Sequence, residues 1–293
     1  MGFDLTRALE DMARNGVLLT VGGEDGTTAG RFGGAPDVPP DFQWPCYETA
    51  VYGDDTVRPR PLSFLAQFDC AALAPLDSEG LLPETGLLSF FYEMNSQPWG
   101  FDPKDAGCAR VFWFSDASVL APAEFPAALP EDCRFPEMDM QAFQGTCWPD
   151  FQDFAVRYPD IAHPAYWAQV RGGWEGFCEA FDQAKISLQG DGTAGHKLLG
   201  WPDIIQNNMT QECELVSRGH YLGNTWKSVS EEERQETGAP SLDGWRLLFQ
   251  LDSFEGFNFS LDFGDCGSIY FYIRKEDLSA RRFDRVWLIL QCY

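Results

Sequence analysis

The chain has 293 residues, 44% hydrophobic and 23% charged, a composition that excludes a fibrous or disordered protein and suits one large or two modest domains. Its 45 acidic residues against 21 basic ones give a formal net charge of -24. This charge disfavours binding to nucleic acid and to anionic membranes, whose phosphate groups require Lys and Arg, and it would attract a basic protein.

The N-terminal segment predicts a helix followed by a strand. Asp4 can cap a helix that carries Leu5 and Leu9 on one face and stops at Gly16, and residues 17–23 are typical of a strand. Charges interrupt this helix, unlike a signal peptide, and no run approaches the ~18 apolar residues of a membrane span. Because the nine cysteines include no CxxC pair, we expect reduced thiols and a cytoplasmic protein.

The next segment predicts irregular structure. Residues 22–34 are rich in Gly, Thr and Asp and indicate a loop. Residues 33–45 carry prolines at 36, 39, 40 and 45, which exclude a helix interior and a central strand, so this segment should lie extended on the surface.

Two stretches, 61–116 and 245–293, each predict three apolar strands in the same order. In the first repeat these are PLSFLAQFD, ETGLLSFFYE and ARVFWFSD; in the second they are WRLLFQLDS, FGDCGSIYFYI and RVWLILQCY. The connections carry Gly, Asp and Pro and no clear crossover helix, so the strands should be antiparallel. We therefore predict a duplicated three-strand unit.

The first strands of both repeats contain the pattern Gln-x-Asp. Strict alternation places Phe64 and Phe68 on one face and Gln67 on the other, and Gln250 takes the same place in the second repeat. An amide between apolar residues must find hydrogen-bond partners. The two glutamines therefore predict a symmetric role at the interface between the repeats, either structural or lining a cleft.

The chain between the repeats is less regular. Residues 121–149 are rich in proline, with one short strand expected at 138–143, and helices are expected from Asp150 and from His163. A Gly-Asp-Gly break at 190–192 precedes the motif HKLLGWPDIIQ, and the charged run SEEERQETG predicts a solvated helix or loop. The whole predicts an α+β fold, mostly antiparallel sheet with a few peripheral helices, as a single domain over 1–293.

Motifs of known catalytic and cofactor sites are missing from the sequence. It contains no Gly-x-Ser-x-Gly, His-Glu-x-x-His, P-loop or EF-hand pattern, and its three histidines are scattered, so we expect no metal and no cofactor. The remaining catalytic candidates are His196, Asp252 and Asp265, which could share acid–base work. Each has a structural alternative, since His196 can fix a loop and residues 264–267 can form a hairpin turn.

A second set of residues suits ligand binding in a cleft between the repeats. It combines polar side chains with tryptophans that can form an apolar lining. Its members are Gln67, Asp69, Gln206, Gln250, Trp44 and Trp201, with Trp99 as a further aromatic candidate.

Several of these motifs together resemble the bacterial YwqG-like family, a domain family of unknown function. They are GGAPDVPPDFQWP, PLSFLAQFD, LPETGLLSFFYE, HKLLGWPDIIQ, WRLLFQLDS, FGDCGSIYFYI and VWLILQCY, in the family's order over most of the chain apart from 121–191. The resemblance implies an α+β fold of mostly antiparallel sheet with a duplicated core. It also implies a role as immunity protein or toxin partner, because some relatives are encoded near polymorphic toxins. It supplies no catalytic residue.

Three functions follow from the sequence, in order of preference. The first is a non-catalytic acidic module that binds a basic protein such as a toxin, with electrostatic attraction setting the association rate. The second is a hydrolase-type enzyme that uses His196, Asp252 and Asp265, and the third is a small-ligand binder in the same cleft. The oligomeric state is not predicted.

Overall fold

A computed structural model describes residues 3–23, 26–168, 172–189, 195–223, 226–256 and 258–293, so the glycine-containing break at 190–192 lies outside the described residues. The strands are β1 Arg14–Val21, β2 Thr27–Phe32, β3 Asp37–Val38, β4 Cys46–Val51, β5 Asp54–Pro61, β6 Ser63–Asp69, β7 Leu87–Tyr92, β8 Ala109–Phe114, β9 Ala121–Pro122, β10 Met138–Cys147, β11 Lys197–Leu199, β12 Trp245–Asp252, β13 Phe254–Gly256, β14 Phe259–Leu261, β15 Ser268–Arg274 and β16 Trp287–Gln291. The helices are α1 Leu5–Asp11, α2 Cys70–Leu73, α3 Phe151–Arg157, α4 Pro164–Trp167, α5 Gly173–Gln189, α6 Met209–Ser217, α7 Glu231–Gly244 and α8 Lys275–Ser279.

One ten-stranded sheet dominates the fold. Its order is β16-β15-β12-β11-β1-β10-β2-β6-β7-β8, and every neighbouring pair is antiparallel. Two-stranded ribbons (β3 with β9, β4 with β5, β13 with β14) and the helices surround this sheet. The predicted α+β class with mostly antiparallel sheet is confirmed.

The two predicted repeats form the two ends of the sheet. The first is β6-β7-β8 and the second is β12-β15-β16, each a meander of consecutive pairings. Both first strands contain a bulge at the same place, opposite the middle of the second strand, with Leu65 and Leu248 as the extra residues. The same main-chain bond closes both loops, from Cys70 N to the Gly86 carbonyl and from Ser253 N to the Gly267 carbonyl, each at 2.9 Å.

The prediction of strict alternation along these strands was wrong because of the bulge. An extra residue reverses the side-chain alternation on one side of the bulge. Phe64 therefore packs with Phe91 on the outer face, on the side of Gln67, whereas Leu65 joins Ala66 in the inner core. Periodicity alone cannot reveal such a reversal, because every residue involved is apolar.

Two strands near the centre of the sheet lie where loops or short elements were predicted. Residues 27–32, expected to be a loop, form β2, and the short strand expected at 138–143 is the ten-residue β10. The loop prediction was wrong because Gly30 has a packing role. A Cβ at Gly30 would overlap the carbonyl oxygen of Gln67 on β6, so glycine lets the two strands pair closely.

The helix starts predicted from capping residues agree with the structure. Asp4 and His163 accept main-chain N–H bonds at the starts of α1 and α4, and Asp150 precedes α3. Helix α1 ends at Asp11 rather than at Gly16, which lies within β1. The charged run SEEERQETG, predicted as a solvated helix or loop, forms the start of α7, which continues to Gly244. No helix of the described ranges is long and apolar enough to cross a membrane.

The inner faces of the two repeats pack directly against each other. The ring of Phe90 lies 4.7 Å from that of Phe249 and 5.2 Å from that of Phe271, and Phe68 lies 5.4 Å from Phe249, measured between centroids. The expected cleft between the repeats is thus an aromatic core. Candidate polar residues must act on the outer faces or at the strand ends.

Candidate functional site

The loop that follows β2 and the loop that follows β11 share a motif, Gly-x-Pro-Asp, at residues 34–37 and 200–203. In both, two successive residues have positive φ, 63° and 70° at Gly33 and Gly34, and 60° and 72° at Leu199 and Gly200. This left-handed turn reverses the chain so that the motif's aspartate comes back over the sheet. The duplication therefore extends beyond the predicted three strands.

In the first repeat this loop is held by a cluster that we call the first clamp: Arg31, Asp37 and Gln67. The guanidinium of Arg31 donates to the Asp37 carboxylate at 2.7 Å, to the Ala35 carbonyl at 2.8 Å and to Gln67 Oε1 at 3.2 Å. Gln67 Oε1 also accepts from Asp37 N, and Gln67 Nε2 donates to the Asp37 carbonyl and to Ser89 Oγ. Every polar group of the Gln67 amide is thus engaged.

The second repeat contains the equivalent cluster, the second clamp: Lys197, Asp203 and Gln250. The Lys197 ammonium donates to the Asp203 carboxylate at 2.5 Å and to the Trp201 carbonyl at 3.4 Å, matching the bonds of Arg31. Gln250 Oε1 accepts from Asp203 N at 2.9 Å, and Gln250 Nε2 donates to the carboxylates of Asp203 and Asp252.

Both clamps lie on outer faces of the sheet, each within its own repeat. The two glutamines are only 2% (Gln67) and 0% (Gln250) exposed, so they do not form a polar surface. The predicted symmetric role is present, but its predicted position at the interface between the repeats was wrong. Burial would raise the pKa of Asp203, yet Lys197 and hydrogen bonds from Gly195 and Gln250 lower it below the ordinary value.

The structure brings His196 and Asp252 together without building a catalytic triad. The main-chain N–H of Asp252 donates to Nδ1 of His196 at 3.1 Å, so this nitrogen is an acceptor. Ser268 Oγ donates directly to the Asp252 carboxylate at 2.8 Å. In a triad the imidazole donates to the carboxylate and accepts from the hydroxyl, which is a different arrangement. Burial lowers the pKa of His196, although Asp252 opposes this shift.

Asp265 lies apart from this pair in the turn 264–266, where it is exposed. The turn leads into β15, and the hairpin of this region is instead β13-β14. Among the described residues, no hydrogen bond joins the Asp265 carboxylate to His196 or Asp252. Glu255 and Asp262 share the β12–β15 connection with Asp265, and Asp252 is the last residue of β12; we call these four residues together the acidic end.

The other predicted ligand-binding residues lie in separate places. Asp69 accepts from Ala71 N and caps α2, and Gln206 donates to the Cys292 carbonyl. Trp44 donates to the Leu62 carbonyl and packs against Phe91 of the first repeat. Trp201, which is 2% exposed, donates to the Met12 carbonyl in the segment that joins α1 to β1.

Four buried thiols are poorly suited to nucleophilic chemistry. Burial raises the pKa of Cys133 to about 11 and that of Cys70 to about 12, and it raises the pKa of Cys108 and Cys213 well above the usual value. A thiolate nucleophile requires the opposite shift. In the described ranges, no group of three or more His, Cys, Asp or Glu side chains is arranged to hold a metal ion.

Sequence reasoning missed both cations and both aspartates of the clamps. The signal was present, because Arg31 and Lys197 each stand three residues before the glycine of a Gly-x-Pro-Asp motif. Comparing these two short segments directly would have aligned Asp37 with Asp203. The motifs were not aligned because different elements separate each from its Gln-x-Asp strand, β4 and β5 in the first repeat and α6 and α7 in the second.

The chain belongs to a family described as a domain of unknown function (DUF1963), whose model matches residues 30–292. The match includes both clamps and the acidic end. No curated protein matched the chain.

Proposed function

We propose that this DUF1963 member is a YwqG-like, non-catalytic binding module of the cytoplasm that uses its acidic surface to bind a basic protein, such as a toxin that it neutralises. The observation that carries the proposal is the acidic end. From Leu247 to Ile273 the chain contains four acidic residues and no Lys, Arg or His, and Glu255, Asp262 and Asp265 are exposed. Such a patch attracts a basic surface over distances of about a Debye length.

Internal ion pairs do not remove the acidic excess. Arg58 and Arg60 pair with Asp54, Arg282 pairs with Asp277, and Lys185 pairs with Asp150. Because each pair removes charges of both signs from a chain with 45 acids and 21 bases, the remaining surface is even more predominantly acidic. The basic residues of the second repeat also lie outside the acidic end, at Arg246 and from Arg274 onwards.

An exposed aromatic side chain accompanies the acidic end. Tyr293 is 83% exposed, and its main-chain N–H donates to the Asp265 carbonyl at 3.2 Å. Tyrosine is enriched among residues that dominate binding energy at protein interfaces. A basic segment could therefore gain both charge attraction and an apolar contact here.

A hydrolase function has less support from the same geometry. His196 Nδ1 is occupied by the main chain of Asp252, and Ser268 donates to Asp252 rather than to the imidazole. A small ligand in the expected cleft would have to displace the aromatic rings of Phe90, Phe249 and Phe271. The surface charge supports a protein partner more directly.

Capture of a partner from the native host tests the proposal. The wild-type protein should retain a basic protein at low salt and release it as salt rises. The triple variant Glu255→Lys/Asp262→Lys/Asp265→Lys should fail to retain it. A matched control, Glu175→Lys/Glu179→Lys/Asp182→Lys, makes the same change of charge on exposed positions of α5 and should still bind. Equal loss in both variants, or no partner at low salt, would contradict the proposal.

A further inference from the structure

A pocket of about 410 Å³ lies where α3, the end of α7 and the starts of β1 and β12 meet. Three arginines line it, Arg14, Arg157 and Arg246, in a chain with few basic residues. We propose that this arginine pocket binds a small molecule through a phosphate group. Its volume is within the range of small-ligand sites.

The carboxylates of the arginine pocket already have partners. Both oxygens of Asp243 accept from the guanidinium of Arg157. Asp11 pairs with Arg7 at 3.0 Å, and Glu79 Oε1 accepts from Asn15 N at 2.9 Å. The charges of Asp243 and Asp11 are thus paired with Arg157 and Arg7, whereas Glu79 bonds a neutral N–H and keeps its negative charge near Arg14 and Arg246.

Arg14 and Arg246, by contrast, donate to uncharged main-chain oxygens. Both donate to the Leu242 carbonyl, at 3.1 and 3.3 Å, and Arg246 also donates to the carbonyls of Asp243 and Trp245. Within the described ranges, neither has a carboxylate oxygen within 4.0 Å. These bonds use one nitrogen of each guanidinium, Nη2 of Arg14 and Nη1 of Arg246.

The positively charged guanidinium groups of Arg14 and Arg246 are thus held close together in partly buried positions. The guanidinium of Arg14 lies 3.4 Å from the ring centroid of Trp201, which fixes its plane. Burial, followed by the nearby Arg246, lowers the pKa of Arg14 to about 9, while the buried Asp153 opposes this shift. Burial likewise lowers the pKa of Arg246, while the nearby carboxylates of Glu79 and Asp243 oppose this shift. A bound anion would relieve this accumulation of positive charge.

A phosphate group matches the charge and the donors of this pair. Guanidinium groups bind phosphate through paired N–H bonds, and one negative charge of a phosphate together with that of Glu79 balances the two cations. The end of α7 accounts for part of the arrangement, because cations stabilise the carbonyls at a helix C-terminus. That role accounts for the bonds to the Leu242, Asp243 and Trp245 carbonyls, and within the described ranges the other guanidinium nitrogens of Arg14 and Arg246 donate to no protein group.

Titration with inorganic phosphate at constant ionic strength tests the site on the whole protein. Phosphate should raise the melting temperature of the wild type, by an amount that grows with the logarithm of its concentration once this exceeds the dissociation constant. Arg246→Gln keeps an N–H donor for the Leu242 carbonyl but removes the charge, and should weaken phosphate binding about tenfold or more. Arg282→Gln, the matched control, removes an arginine that pairs with Asp277 and should bind phosphate like the wild type.

A second measurement does not depend on the folding of any variant. The Nε–H NMR signals of Arg14 and Arg246 should shift as phosphate is added to the wild type, and those of Arg282 should not. Unshifted Arg14 and Arg246 signals would overturn the proposal. Equal affinities for acetate and phosphate would overturn the assignment to a phosphate group, and unchanged affinity in Arg246→Gln would place the binding elsewhere.

Discussion

The two clamps hold equivalent loops, but the acids that follow their glutamines have different roles. In the first repeat Asp69 is exposed and caps α2, two residues beyond Gln67. In the second repeat the equivalent Asp252 accepts from Gln250 and from Ser268 and is part of the buried network. Both repeats therefore share the clamp, whereas the aspartate two residues after the glutamine has a different role in each repeat.

A second difference lies on the neighbouring strand. Gly30 pairs with Phe68 within the sheet and has no room for a side chain. The equivalent residue of the second repeat is His196, which precedes β11, whose pairing with β12 begins at Lys197. The shorter ladder leaves space for an imidazole beside Asp252. The second repeat thus has a titratable side chain at a position where the first repeat has no room for any side chain.

The largest expected difference between the clamps concerns their ion pairs. Asp203→Ala leaves the Lys197 ammonium, 5% exposed, without its carboxylate, and should lower the free energy of unfolding by about 3–5 kcal/mol. Asp37→Ala should be milder, at about 1–3 kcal/mol, because Arg31 keeps Gln67 and lies 3.6 Å from Glu137. Urea unfolding of both variants measures the difference. Equal losses would contradict the ranking.

The glutamines test whether the clamps are energetically alike. Gln67→Leu and Gln250→Leu each remove a buried amide and leave main-chain and side-chain groups unpaired, so each should cost about 2–3 kcal/mol. The matched control is Gln206→Leu, at an exposed position, where the loss should stay below about 1 kcal/mol. A much smaller loss for Gln67→Leu than for Gln250→Leu would show that only the second clamp stabilises its loop.

The acids that follow the glutamines should differ from each other, unlike the glutamines, which we expect to be alike. Asp252→Ala leaves Ser268 and one bond of Gln250 unpaired and should cost about 1–3 kcal/mol. Asp69→Ala removes an N-cap from a four-residue helix and should cost about 0.5–1 kcal/mol. Parallel urea titrations compare the two variants. A larger loss of unfolding free energy for Asp69→Ala than for Asp252→Ala would contradict the different roles assigned to the two aspartates.

The sequence predicted the parts of this fold that depend on periodic apolar residues. The six strands of the repeats and the helix starts at Asp4 and His163 follow from alternation and capping. Strand β2 was missed because its Gly and Thr content resembles a loop, and only its buried neighbours favour a strand. Tertiary pairing, which a single sequence does not display, decides such segments.

The sequence could predict which residues form the candidate site but not how their side chains are oriented and bonded. The pairing of His196 with Asp252 could be suspected, yet which nitrogen accepts and what Ser268 contacts depend on the register of β11, β12 and β15. The arginine pocket was not predicted, because Arg14 and Arg246 are 232 positions apart and belong to no motif. Sites assembled from distant strand ends carry no local signal.

The last and smallest expected difference concerns pH, and it separates the repeats by chemistry. Burial lowers the pKa of His196 below its ordinary 6.5, so the unfolded chain takes up a proton before the folded protein does. Stability supplied by the neutral imidazole is therefore present above about pH 6.5 and is lost as the pH falls toward the lowered pKa. A tenfold difference in proton affinity between the two states corresponds to about 1.4 kcal/mol.

His196→Asn keeps an acceptor for Asp252 N and removes the titration. Unfolding free energies measured across this range should decline less steeply in His196→Asn than in the wild type, and parallel curves would contradict a role for His196, leaving the two repeats alike in their response to acid.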